Sequence, residues 1–434
     1  MAAKLPLEGV RILDITVAYA GPYATMLLGD WGAEVIRIES TKHFAANTRG
    51  QVARPSPQML SVRQSGWATY PDSTPGQRPW NRFGGFHASS RNKLSMTVDM
   101  TRPEGQEVLE RLVRVSDGFI ENNAPAAMDR QGITWERLSA INPRLILVRM
   151  PAFGLSGPYR NLRAYGGQMQ AIAGLHLIRA YPDLDLSSAP MGLPADYLGG
   201  ICGAIAFVMG YRYRQRTGKG IQVEASSTEN VATMLGEFVL DYSMNGRVAE
   251  PQANDDPSMA PHNAYPCRGN DRWITIACRN DRDWQALCRV VGDETLAQDE
   301  RFSDALSRWK NRRDLDRLMA RWTVTQDPIE LAKRLQEVGV PSGAVMDEED
   351  IFADPQLQAR GFWQGLDDPE AGTHRYVTHP WKASNTPNPL RRHPPLLGQD
   401  NEYIYKTLLG FSDQEYKRFE ELGHIGTDYD PSIP

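Results

Sequence analysis

The residue best placed to do covalent chemistry is Asp196. It follows Gly192-Leu193-Pro194-Ala195 and stands directly before an apolar, glycine-rich stretch, Tyr197-Leu198-Gly199-Gly200, whose continuation to about Arg214 reads as a long helix. A carboxylate at a helix start lies at the positive end of the helix dipole, among N–H groups without partners inside the helix. Both features favour its ionised, nucleophilic form. The same position fits a plain N-cap, for which Asp is a preferred residue, so spacing leaves both roles open. Arg91-Asn92-Lys93 and Asp129-Arg130 put cations near predicted strand or loop ends, where they could clamp phosphates or simply face solvent.

Other chemistries lack their residues. Gly218-Lys219 is followed by Gly220 instead of a hydroxyl residue and has no glycine five positions before Gly218, so it is not a phosphate-cradling loop. No G-x-G-x-x-G follows the first predicted strand, and Gly154-Leu155-Ser156-Gly157 lacks nucleophile-elbow spacing and reads as a turn. The cysteines at 202, 267, 278 and 288 form no close pair, which indicates neither a zinc site nor a disulfide framework; they read as buried thiols.

The chain around these residues has 434 positions, 41% of them hydrophobic and 23% charged, with 48 Lys+Arg against 53 Asp+Glu. At about 150 residues per domain this predicts two or three domains with sizeable cores. A net charge of −5 gives no bulk electrostatic case for nucleic acid or anionic membrane. Gly199 to Val208, the longest nearly apolar stretch, is too short to cross a bilayer, and Lys4, Glu8, Arg11 and Asp14 do not form a signal peptide. The expectation is a soluble, cytoplasmic protein.

The elements that must hold Asp196 follow a βα alternation. Val10, Ile12 and Leu13 form a strand, Gly21-Pro22 opens a helix that Gly32 ends, and Val35, Ile36 and Ile38 form the next strand. Further helices begin at Thr101 and Trp135, and further strands fall at Gly118-Phe119-Ile120, Leu145 to Val148 and Ile221 to Glu224. This predicts an α/β fold, a Rossmann-like doubly wound parallel sheet whose ligands collect at the carboxyl ends of the strands. The insertion 43–91, with Trp67, Tyr70, Trp80, Phe83 and Phe86, reads either as a functional cover or as a surface excursion packing its own aromatics. Ser226 with Glu229 makes a capping box for a helix ending at Asn245-Gly246. A strand at Trp273 and helices over Arg282–Val291, Arg313–Trp322 and Pro328–Val338 suggest a smaller α+β domain. The expected division is 1–225 as the large domain, 226–260 as a connection, 261–350 as the small domain, and 351–434 as a proline-rich segment returning to the large one.

Taken in order, these pieces resemble the class III CoA-transferases, a family that includes formyl-CoA transferase and the carnitine and bile-acid CoA-transferases. The matching stretches are Leu7 to Asp14, Ala20-Gly21-Pro22, Gly32 to Glu39, Asn92-Lys93-Leu94-Ser95, Glu121-Asn122 through Gly132, Asn142-Pro143-Arg144, Gly192 to Asp196 and Thr217 to Val223, with looser matches beyond Pro261. The resemblance implies transfer of CoA from an acyl-CoA thioester to a free carboxylic acid, with Asp196 as nucleophile through an aspartyl anhydride and an aspartyl-CoA thioester. It implies CoA contacts at Ala18, Tyr19, Ala20, Lys93, Asn122, Arg130 and Arg163. Tyr19 stands where members can carry glutamine, Arg163 where a lysine can occur, and Ser40 where some have a basic residue. No permanently bound cofactor and no metal are expected, since coenzyme A enters as part of the substrate. The implied assembly is an interlocked homodimer, with a hetero-oligomer containing a paralogous subunit as the alternative.

Two departures from the family stand out. Gly166 follows Ala164-Tyr165 where an acidic residue is common, and Asp255 to Ala260 carries none of the glycines of the loop that shields the intermediate in formyl-CoA transferase. The first would widen the acyl pocket. Two rival functions are a 2-methylacyl-CoA racemase, whose histidine would fall at Gly166 or Gly167, and a noncatalytic CoA-binding subunit, which retention of Asp196 argues against.

Overall fold

The computed structural model describes residues 4–61, 69–189, 192, 194–386 and 388–434; Trp67, Leu193 and Pro387 lie outside them. Six parallel strands, β1 (Arg11–Asp14), β2 (Glu34–Glu39), β3 (Lys93–Thr97), β4 (Gly118–Glu121), β5 (Ile146–Arg149) and β6 (Ile221–Glu224), form one sheet in the order β3-β2-β1-β4-β5-β6. This is the doubly wound Rossmann-like order, reversing direction beside β1. Helices cover both faces. One face packs Leu13, Ile36, Phe119 and Leu147 against the helix Pro103–Arg114 and against Tyr405, Phe411 and Phe419 from the C-terminal segment. The other packs Ile12, Val35, Ile120 and Val148 against the helices Ala20–Asp30 and Pro194–Thr217.

Strand β3 has no counterpart in the sequence reading, because Lys93-Leu94-Ser95-Met96-Thr97 is half polar. The structure buries that polar half completely. Ser95 Oγ donates to Glu39 Oε2 at 3.1 Å, and the Ser95 and Thr97 N–H groups donate to Asp400 Oδ2 and Asn401 Oδ1, both at 2.8 Å. The C-terminal segment thus covers a sheet edge that would otherwise expose unpaired backbone.

Beneath the carboxyl ends of β1 and β2 lies a buried lattice of charges. Lys93 Nζ donates to Asp14 Oδ2 at 3.1 Å, Arg37 Nε lies 3.1 Å from Glu39 Oε1, and Arg49 grips both Glu39 oxygens at 2.6 and 2.7 Å. Burial alone would raise the Asp14 carboxyl, but Lys93, Arg37 and the Thr16 hydrogen bonds together more than offset it and hold it below its ordinary value. Asp14 also accepts from the Thr16 N–H at 2.8 Å and from Thr25 Oγ1 at 2.8 Å, which fixes both ends of the loop between β1 and the following helix.

The chain divides into two compact units: 1–175 with 191–246 and 361–434, and 176–190 with 247–360. Residues 226–246 therefore stay with the sheet, where Ser226 Oγ accepts from the Glu229 N–H, and the expected single helix breaks into Ser227–Thr233 and Gly236–Asn245. Residues 361–434 cluster with the sheet and include the hairpin β10 (Trp363–Asp368) and β11 (Gly372–Val377). The second unit carries the antiparallel sheet β7 (His262–Pro266), β8 (Trp273–Ala277) and β9 (Ser342–Val345), backed by the helices Asp281–Val291 and Pro328–Glu337. Its glycine-free stretch is tied down within that unit, with Asp255 paired to Arg312 and Arg313 and Asp256 closing a turn on the Ser258 and Met259 N–H groups.

Three described aromatics of the insertion pack inward. Trp80, Phe83 and Phe86 are buried, Trp80 meets Tyr429 edge to face at 5.3 Å, and the Arg49 guanidinium lies 3.8 Å over Phe86. All four cysteines are free, and Cys202 is part-exposed instead of buried. Among the described residues no helix is long and apolar enough to cross a membrane.

Removing one member of a buried ion pair strands the other. Asp14→Ala should therefore cost about 3–5 kcal/mol in denaturant unfolding, and Asp14→Ala with Lys93→Met together should cost less than the sum of the two single changes.

Candidate active site

Asp196 is the third residue of the helix Pro194–Thr217, and its carboxylate lies in the first turn. It is not the N-cap, because Pro194 opens the helix, a position where the missing N–H and fixed φ of proline are tolerated. Two glycines bring this helix down onto the sheet domain. A Cβ at Gly200 would stand 2.8 Å from the Ala20 carbonyl oxygen, and one at Gly203 would stand 2.4 Å from Met150 Sδ. Close packing on the helix Ala20–Asp30 sets Asp196 beside the loop that leaves β1.

Asp196 lines a cleft of about 470 Å³ with Val17, Ala18, Ala20, Asn122, Asn123, Met150, Arg163, Tyr165, Gln168, Met169 and Ser227 among its neighbours. Asp196 and Arg163 are the only charged side chains on the lining among the described residues, and Asp196 makes no hydrogen bond or ion pair there. Burial therefore acts unopposed and pushes its carboxyl up to about 6. The direction is opposite to that expected from the helix dipole, and its cause is burial. The carboxylate is still ionised at neutral pH, and the same desolvation makes it a less solvated nucleophile.

The helix Gly166–Ile172 forms the facing wall. A Cβ at Gly166 would stand 2.3 Å from Asp196 Oδ2 and 3.3 Å from its Cγ, so the carboxylate rests against the backbone of this helix start. The Tyr165 N–H donates to Gln168 Oε1 at 3.0 Å, and the fully buried Gln170 donates to the Gly192 carbonyl at 3.0 Å, which ties this helix to the segment before Asp196.

The structure gathers only some of the residues singled out in the sequence. Ala18, Ala20, Asn122 and Arg163 reach the cleft. Ala18 holds φ +57°, an uncommon conformation for alanine, and its N–H donates to Thr48 Oγ1 at 2.8 Å. Asn122 spends both ends of its amide on Val17, accepting from its N–H at 2.8 Å and donating to its carbonyl at 3.0 Å, and so shapes the loop. Tyr19 is buried behind the cleft with its ring edge to face on Tyr197 at 6.1 Å; burial, then the charges of Tyr197 and Asp196, raise its hydroxyl above its usual value.

Lys93 and Arg130 do not reach the cleft. Lys93 is fully buried on Asp14 and the Pro22 carbonyl, and Arg91 pairs with buried Asp30 at 2.8 Å, so neither cation can clamp a phosphate. Arg130 is exposed on a separate concavity with Gln106, Gln131 and Arg137. Sequence reasoning missed Val17, Asn123, Met150, Gln168, Met169 and Ser227, which carry no motif and enter the cleft only through the fold. The close approach at Gly166 had two signals, its departure from the family's acidic residue and its neighbour Gly167, since paired glycines at a helix start suggest a close approach.

Residues 7–401 match the family model described as CoA-transferase family III. The chain belongs to that family. It is 31% identical over 410 residues to the succinyl-CoA–D-citramalate CoA-transferase of Chloroflexus aurantiacus, covering 94% of this chain and 96% of the relative. It is 28% identical over 421 residues to the succinyl-CoA–L-malate CoA-transferase beta subunit of the same organism, covering 95% and 96%. A solved CAIB/BAIF family protein from Brucella suis superposes with a TM-score of 0.80 at 29% identity, covering 93% of this chain and all of that one. This family III chain is accordingly an enzyme with CoA-transferase activity.

The raised Asp196 carboxyl has a consequence for stability. An acid whose native pKa lies above its unfolded value holds its proton more tightly when folded, so its ionisation costs native stability above pH 6 and nothing below about pH 4. Asp196→Asn should therefore raise stability at pH 8 by on the order of 1–2 kcal/mol, with the gain vanishing near pH 4, as read by thermal unfolding across pH.

Proposed function

We propose that this transferase moves CoA from an acyl-CoA thioester to a free carboxylic acid through covalent intermediates on Asp196. The observation that carries the reading is a desolvated carboxylate on a cleft wall that makes no hydrogen bond or ion pair among the described residues. Asp196 attacks the thioester carbonyl and expels CoA thiolate, which leaves a mixed anhydride. The thiolate attacks the aspartyl carbonyl, releases the donor acid and forms an aspartyl-CoA thioester. The acceptor carboxylate then attacks that thioester, and CoA thiolate takes the acceptor acyl group from the second anhydride, restoring Asp196. No proton changes hands, and one carboxylate replaces another on the same sulfur, so the exchange is nearly isoenergetic and needs no nucleotide.

The cleft favours this over proton abstraction, because its lining holds no histidine and no second carboxylate to pair with Asp196 among the described residues. Ala18, Ala20 and Asn122 would border the pantetheine arm and Arg163 would meet an anionic part of CoA. Trp80, Phe83 and Phe86 are buried and do not line the cleft, so they supply no argument for a bulky acyl group. The names of the relatives make succinyl-CoA the first donor to test, with hydroxy-dicarboxylic acids as acceptors.

We further propose a homodimer in the cytoplasm. The helix Gly236–Asn245 buries none of its residues although Val239, Leu240 and Met244 are apolar, and Ile205, Val208 and Met209 are likewise exposed on Pro194–Thr217. Clustered exposed apolar side chains mark interaction surfaces, and a second copy is the occupant that the reading as an interlocked dimer supplies.

Two measurements test these points. In a single turnover with an acceptor acid carrying a heavy-oxygen label in its carboxylate, the peptide containing Asp196 should gain one labelled oxygen, and hydroxylamine added during turnover should modify the same residue; label on another side chain overturns the mechanism. Light scattering should give twice the 48.6 kDa of one chain, and a monomer mass overturns the dimer.

A further inference from the structure

A negative charge that develops in the cleft needs a hydrogen-bond donor, and the lining has committed most of its own. The Asn122 amide donates to the Val17 carbonyl, Asn123 Nδ2 to the Ile15 carbonyl at 3.0 Å, and the Ala18 N–H to Thr48. Arg163, Tyr165 and Gln168 are exposed. Ser227 differs from all of these. Only 3% of the residue is exposed, it lines the cleft, and its N–H donates to the Pro151 carbonyl at 3.2 Å, yet its hydroxyl has no hydrogen-bond partner among the described residues. Buried polar groups are nearly always paired, so an unpartnered hydroxyl on a cleft wall points to a ligand.

The hydroxyl meets the helix that carries Asp196. A Cβ at Gly199 would stand 3.5 Å from Ser227 Oγ and 3.5 Å from Ala20 Cβ, so these two side chains converge on a bare stretch of the Pro194–Thr217 backbone. Gly199 lies three residues after Asp196, on the same side of the helix and about 4.5 Å further along its axis. Hydroxyl and carboxylate both line the cleft without a hydrogen bond between them, so a substrate atom can lie between the two.

From this placement we infer that Ser227 is a further catalytic residue: its hydroxyl donates a hydrogen bond to the acyl carbonyl oxygen as Asp196 adds to the thioester carbon. The inference rests on Asp196 being the nucleophile. In that step a bond forms between the Asp196 oxygen and the carbonyl carbon, and the C=O π pair moves onto the carbonyl oxygen. The pair returns when CoA thiolate leaves with the C–S electrons, and the Ser227 proton stays on its own oxygen throughout. Val17, Ala20, Met150 and Met169 surround the site with apolar groups, which strengthens such a hydrogen bond because little water competes for the charge.

The test is Ser227→Ala in the full-length protein with succinyl-CoA as donor. Loss of one donor to the developing charge should lower kcat by about 100-fold with KM for succinyl-CoA within about threefold, since the contact strengthens only as attack proceeds. The melting temperature should stay within about 1 °C of the wild type or rise, because the hydroxyl has no protein partner to lose. Unchanged kcat overturns the inference, and so does a higher KM alone, which marks a ground-state contact. A melting temperature lowered by more than about 4 °C marks a structural hydroxyl and overturns it as well. The two readings fail separately: if heavy oxygen never enters Asp196 in the wild type, the covalent mechanism is wrong, whereas labelling in the wild type with full activity in Ser227→Ala removes only the donor role.

Discussion

The site depends on the buried contact between Asp14 and Lys93. Two opposite charges without solvent access persist only if each is paired and hydrogen-bonded, and this pair meets that condition through Thr16, Thr25 and the Pro22 carbonyl. Those partners are the two ends of the loop between β1 and the next helix. The interaction that satisfies the charges thus also fixes the backbone of Val17, Ala18 and Ala20, which form one side of the cleft. Arg37 links the pair to Glu39 and Arg49, so the insertion and the C-terminal segment are held by the same lattice.

Asp196 shows the opposite treatment of a carboxyl group. It is desolvated without compensation, and the resulting penalty is what a fold optimised for stability alone would remove. Two features set where it lies: glycines that let its helix pack closely on the sheet domain, and the glutamine tether from the facing helix to Gly192. Two carboxylates in one unit thus stand in opposite environments, one fully satisfied by its partners and one desolvated without them.

Much of the sheet was legible because hydrophobic periodicity is a local property. Strands at Ile12, Val35, Phe119, Leu147 and Val223 and the long helix through Gly199 follow from apolar spacing and turn residues. The strand Lys93–Thr97 was hidden because its buried face is polar, and no periodicity rule identifies a lysine that spends its charge on an aspartate 79 residues earlier. For the same reason Lys93 and Arg91 resembled ligand-facing cations. The proline-rich C-terminal segment contributes Tyr405 and Phe419 to the main core and covers the edge of β3, a role visible only once the chain has folded back.

The sequence by itself determined the alternation of strands and helices, the family, and the place of Asp196 at a helix start, because each is written in neighbouring residues and their order. Tertiary structure alone decided which cations are spent in the core, that Asn122 serves the loop backbone, that burial raises the Asp196 carboxyl, and that a glycine thirty positions earlier lies against it. These are properties of distance and solvent access between segments remote in the chain, and electrostatic and steric energies depend on those quantities and not on residue order.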